Sequence, residues 1–188
     1  MAARGAAVLP CARLFAGERH SSDTDLAATV RAYHGADWDD VVLEAEDMAT
    51  ADHWLLMADT ARVWFHDLEG VYRGENTYAR FVQEWGAISR GAFTPEEIAE
   101  TWESERGPVN VSFSFLGRQH TFVHPDGQDD FVDLRIVRLI NELLTPTPYR
   151  LEAADNLGDC RFIVALTSEE KRRLRAERGW SFCDFLSA

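Results

Sequence analysis

TPEEIAETWESERGPVNVSFSF, residues 94–115, is where the periodicity of the chain changes. Its first half carries helix-start signals. Thr94 stands as a cap, Pro95 falls at the first helical position, and Glu97 lies three residues after the cap, the spacing of a capping box. A helix is predicted over 94–102. Beyond Gly107-Pro108 the pattern turns to period two, with Val109, Val111, Phe113 and Phe115 on one face and Asn110, Ser112 and Ser114 on the other. That alternation predicts a half-buried antiparallel strand. The expected border between a helical and a sheet-forming part therefore falls at residue 107.

Downstream, LGR turns the chain and QHTFVH returns it as a second strand. DDFVDLRIVRLINELL reads as an amphipathic helix with Phe131, Leu134, Val137, Leu139, Ile140, Leu143 and Leu144 as its apolar set, stopped by TPTP. The unit then repeats: strand YRLEAA, turn DNLGD, strand CRFIVAL, helix TSEEKRRLRAERG. Thr167 and Glu170 form a second capping box, and Glu169, Glu170, Arg175 and Arg178 complement the helix dipole. The basic run KRRLR reads mostly as ordinary helix electrostatics, with a nucleic-acid role as the lesser reading.

Upstream, ENTYARFVQEWGAIS places Tyr78, Phe81, Trp85 and Ile88 on one helical stripe, and Gly91 follows as the left-handed residue past the end. ARVWFHDLEG reads either as helix or as a short strand ended by Gly70, since periodicity alone does not separate them. HSSDTD at 20–25 marks a boundary, and Leu26, Val30 and Tyr33 recur at helical spacing. The fold expected is α+β: a helical N-terminal half, then a ββα-ββα unit forming one four-stranded antiparallel sheet with its helices on one face. Residues 1–22 read as a disordered leader, with an early start or a targeting segment as other readings. Residues 23–186 read as one domain, 23–107 mainly helical and 108–180 sheet plus helix.

A chain of 188 residues with 46% hydrophobic content, six Trp and eleven Phe can bury a core without staples. Cys11, Cys160 and Cys183 match no zinc or redox spacing, which points to reduced thiols and a cytoplasmic setting. No apolar run is long enough to span a membrane. Thirty-two acids against 19 bases give a net charge of −13. That excess disfavours nucleic acid, which needs clustered cations, and suits a basic protein partner.

HTFVHPDGQDDFVD, residues 120–133, is the one stretch that resembles a metal site. On a strand, His120 and His124 share a face with Cα atoms about 13 Å apart, too far for both rings to reach one zinc without strain. Its acids lack the alternation and closing Glu of a calcium loop. Pro125-Asp126-Gly127 reads as a turn, Asp129 or Asp130 as a helix cap, and Asp133 as a first-turn acid. No nucleophile elbow, phosphate loop or dinucleotide fingerprint occurs. No cofactor and no metal are expected.

ETWESERGP, residues 100–108, sets Trp102 among Glu100, Glu103 and Glu105. An aromatic ringed by carboxylates suits an Arg or Lys from a partner, although Trp102 packed into the core explains the same residues. From ISRGAFTPEEIAETWESERGPVNVSF to GDCRFIVALTSEEKRRLRAERGW, roughly residues 85–180, the chain resembles small, uncharacterised bacterial α+β proteins. It is similar in layout to immunity proteins that neutralise polymorphic toxins. That resemblance implies a compact acidic module acting by binding another protein. The function expected is a non-catalytic binding module of immunity or adaptor type. Its partner would meet Trp102, Glu100, Glu103, Glu105, Asp129, Asp130 and Asp133. The competing expectation is a small hydrolase or ligand-binding enzyme using His66, His120 or His124 as acid/base groups between the two halves.

Overall fold

The structure is a computed structural model and describes residues 52–53, 56–57, 59–125, 131–154 and 160–183. The leader, the helix expected after HSSDTD, the acids Asp129 and Asp130, and the turns at 126–128 and 155–159 lie outside the described residues. In chain order the elements are strand β1 (Val63–Asp67), helix α1 (Thr77–Ile88), and strands β2 (Glu96–Trp102), β3 (Val109–Phe115) and β4 (Arg118–His124). Helix α2 (Arg135–Leu143), strands β5 (Tyr149–Ala154) and β6 (Cys160–Thr167), and helix α3 (Ser168–Arg178) follow.

The expected four-stranded sheet does not form. The strands make two antiparallel three-stranded sheets, ordered β1-β6-β5 and β2-β3-β4. Each hairpin of the ββα-ββα unit pairs internally as anticipated, but each takes its third strand from the half expected to be helical. The physical reason is the open edge of a hairpin, a row of unpaired N–H and C=O groups that an adjacent extended segment can satisfy. VWFHD satisfies β6, from Val63 opposite Val164 to Asp67 opposite Cys160. EEIAETW satisfies β3, with Trp102 opposite Val109 and Thr101 opposite Asn110. The helices do not share one face: α1 touches β1 of one sheet and β2 of the other, α2 packs on β5 and α3 on β6.

The helix expected over 94–102 is therefore strand β2. Nine residues offering Ile98, Ala99 and Trp102 as apolar groups are too few for a buried helical stripe. As a strand they place Ile98 and Trp102 against the core and leave Glu96, Glu97, Ala99 and Thr101 exposed. Glu97 sits at a register shift with φ +51°, a bulge of the kind that bends edge strands. Pro95 caps no helix and packs on α1 instead. A Cβ built on Gly86 would stand 2.8 Å from the Pro95 Cδ, so glycine permits that approach.

One apolar core joins the layers. It includes Trp64 of β1, Tyr78, Phe81 and Trp85 of α1, the inward residues of β3, Ile136, Val137 and Ile140 of α2, and Leu151 and Ile163 of the first sheet. Phe131, expected in that set, is exposed. β6 is buried from Phe162 to Leu166, as a central strand covered on both faces must be. The α3 capping box is present, with the Thr167 hydroxyl accepting the Glu170 N–H and the Glu170 carboxylate accepting the Thr167 N–H. At its far end, Arg178 pairs with the fully buried Asp52 at 2.9 Å, and Trp180 Nε1 donates to the same carboxylate at 3.0 Å. That pair ties the segment before β1 to the C-terminal helix.

Candidate functional site

The second sheet has two unlike faces. Strand alternation turns Val109, Val111, Phe113 and Phe115 into the core. It turns Asn110, Ser112 and Ser114 outward, beside Ala99 and Thr101 of β2 and Gln119, Thr121 and Val123 of β4. Glu96 pairs with Ser114 and shares this outer face. The Glu97 carboxylate receives the Ser114 hydroxyl at 2.7 Å and the Gln119 amide at 3.0 Å. Asn110 donates to Glu103 at 3.2 Å. The outcome is an outer face mainly of hydroxyls and amides, with Ala99 and the exposed Val123 among them, that holds three glutamates and, among these residues, no Lys or Arg.

Beneath its far end lies a hydrogen-bonded chain of partly buried polar groups. Trp102, Val109 and His124 are register partners across the three strands. Trp102 Nε1 donates to Glu100 Oε1 at 2.8 Å. Glu100 Oε2 accepts the backbone N–H groups of Tyr78 at 2.8 Å and Ala79 at 3.2 Å. Asn76, which precedes α1, provides no side-chain cap, so a strand residue caps the helix. The Tyr78 hydroxyl in turn accepts the Asp133 N–H at 2.8 Å. Asp133 Oδ2 faces His124 Nδ1 at 3.2 Å, while its Oδ1 accepts the Arg135 N–H and Nε at 2.9 Å each.

Electrostatics follows from this wiring. Burial pushes the Asp133 carboxyl up, but the hydrogen bonds from His124 and Arg135 outweigh it and hold the group well below the usual carboxylate range. Burial raises the Tyr78 phenol far above its ordinary value. A carboxylate at Nδ1 selects the histidine tautomer carrying its proton there. His124 Nε2 is then a buried nitrogen with no hydrogen-bond partner among the described residues.

The residues singled out in the sequence divide between these two layers. Glu100 and Asp133 belong to the hydrogen-bonded chain, and Trp102 packs partly against the core. Glu103 lies on the outer face, and Glu105 pairs with Arg73 at the β2–β3 turn. β4 runs unbroken through both histidines, with His120 tilted over Phe113 at 5.7 Å and His124 on Asp133. His66 stands 3.5 Å from Glu84, which also accepts Trp64 Nε1 at 2.7 Å. Glu96, Glu97 and Tyr78 are not among the site residues expected from the sequence. The alternation over residues 98–102 is a signal for the strand but breaks before Glu96 and Glu97, and no local pattern marks Tyr78.

No helix among the described residues is long and apolar enough to cross a membrane. Compared with protein-family models, curated proteins and solved structures, the chain matches none, so its function is read from the site itself.

Proposed function

We propose that the protein is a non-catalytic binding module of immunity or adaptor type, acting in the cytoplasm, whose outer sheet face receives a basic surface of another protein. The observation that carries this reading is the charge of that face: Glu96, Glu97 and Glu103 stand among uncharged hydroxyl and amide groups. Acids on an edge strand also guard against strand-to-strand aggregation. That role explains Glu96 but not the uncharged platform beside it. Three seven-residue strands cover roughly 23 Å by 15 Å, less than half of the ~800 Å² a stable complex buries per partner. The partner therefore also covers the β2 edge and the turn carrying Glu105.

The test is capture of host proteins by the full chain, compared with the E96R/E103R variant and with E142R/E177R, which changes the net charge equally on α2 and α3. A partner should be retained by wild type and E142R/E177R and bound at least tenfold more weakly by E96R/E103R. Equal retention by all three, or no retained partner at low salt, overturns the proposal. A second reading, acid/base chemistry at His124, draws on its Asp133 partner and on an Nε2 that has no partner among the described residues. It expects an activity lost in His124→Gln while partner capture is unchanged.

A further inference from the structure

The first sheet carries a feature of opposite sign. Between α3 and β5 lies a groove of about 530 Å³ lined by Glu152, Ser168, Lys171, Arg172, Arg175 and Ala176. The groove is open to solvent: five of its six lining residues lie on α3, and Ser168, Arg172, Arg175 and Ala176 are exposed. Three cations in five residues converge there, in a chain whose net charge is −13. The helix dipole explains Arg175, in the last turn of α3, and the i,i+3 pair with Glu169 holds Arg172, but neither accounts for Lys171 at the end of the first turn.

Each cation has donors to spare. Lys171 Nζ gives one hydrogen bond to Glu152 at 2.6 Å, leaving two of its three protons. Arg172 is held by Glu169 through Nε at 2.9 Å and a second nitrogen at 2.5 Å. Arg175 has no carboxylate partner among the described residues; its guanidinium carbon lies 5.5 Å from the Phe182 ring centre. Lys171 Nζ lies 5.3 Å from the same centre. One ring thus lies beside two of the cations that line the groove. Glu152 pairs with Lys171 and Glu169 with Arg172, which leaves the planar fork of Arg175 without a carboxylate among the described residues.

We infer that this groove is an oxyanion site for a small phosphate-bearing ligand, with Arg175 as the bidentate donor and Lys171 and Ser168 as auxiliary donors. A planar fork matches two oxygens of a phosphate group. The site is separate from the acidic sheet face, and neither proposal depends on the other.

The experiment is an NMR titration of the full chain with inorganic phosphate and with phenyl phosphate, against sodium chloride at matched ionic strength. The proposal expects saturating shifts at the Arg175 Nε–H and the Lys171 amide with both phosphates, tighter for phenyl phosphate, and none with chloride. R175A should weaken binding at least fivefold, and R175K, which keeps the charge but loses the fork, should fall between. Saturation by phosphate alone, with no gain from the phenyl group, leaves an oxyanion site without a small-molecule pocket and overturns the ligand assignment. Linear shifts shared with chloride, or an R175A titration matching wild type with the fold intact, overturn the site altogether.

Discussion

The carboxylate of Glu100, on strand β2, lies 2.8 Å from the backbone nitrogen of Tyr78 in the first turn of α1. A strand residue thus performs the capping that the residue before the helix does not. Glu100→Ala removes this cap together with the Trp102 bond, and a loss of about 2 kcal/mol is expected. Glu100→Gln keeps an acceptor and loses about half as much. Urea unfolding checks both, with an unchanged denaturant slope showing that stability rather than compactness has moved.

Asp133 makes stability depend on acid. Its folded-state carboxyl titrates below its unfolded value, so between the two values the unfolded chain binds more protons. The contribution is complete above pH ~3.9, the ordinary aspartate value, and is lost as pH falls through the folded one. Asp133→Asn should therefore lower stability at pH 7 and flatten its decline between about pH 4 and 2.5. Thermal unfolding of both proteins across that window measures it. An acid limb as steep in the variant as in wild type would assign the decline to other carboxylates.

The pair between Asp52 and Arg178 is buried on both sides, with side-chain exposures of 0% and 8%. Asp52→Ala leaves the guanidinium and Trp180 Nε1 without that carboxylate, a loss of about 3–5 kcal/mol. Replacing both partners, as D52L/R178M, should recover most of the loss, because neither charge is then desolvated. Chemical denaturation of the single and double variants makes the comparison.

Gly86→Ala is expected to destabilise the protein by about 1–3 kcal/mol, although alanine in a helix interior gains up to ~1 kcal/mol over glycine. The new Cβ meets Pro95 at 2.8 Å, and a pyrrolidine ring cannot rotate away. Pro95→Ala in the same chain should relieve the clash. Calorimetry of G86A and of G86A/P95A therefore separates steric from propensity effects.

Patterns complete within a short window are legible in the sequence. VNVSFSF alternates without interruption and is β3, and Thr167 with Glu170 forms the α3 box. TPEEIAETW carries the same cap spacing as that box, yet β3 next to it offers an unpaired edge, and pairing outweighs propensity. The choice between these outcomes depends on the strand that follows from Val109, beyond the nine residues in which the cap spacing is read. The site is legible to a similar degree. Glu100 and Asp133 stand out in the sequence, but their work is internal, because Tyr78 and His124 reach them only after α1 and β4 are in place. Surface acids reveal their layer only when strand register is known: the alternation over residues 98–102 hints at a strand, but Glu96 and Glu97 flank its bulge and are assigned to the outer face by register.

The proposed docking surface is the outer face of the β2-β3-β4 sheet. Its most direct test is amide hydrogen exchange of the full chain, free and bound to the captured partner. Slowed exchange is predicted to be confined to β2, β4 and the turn at 103–107, where edge amides face solvent, with α3 unchanged. Protection centred on α3 or on the exposed side of α2, with the β2 and β4 edges unaltered, would contradict it.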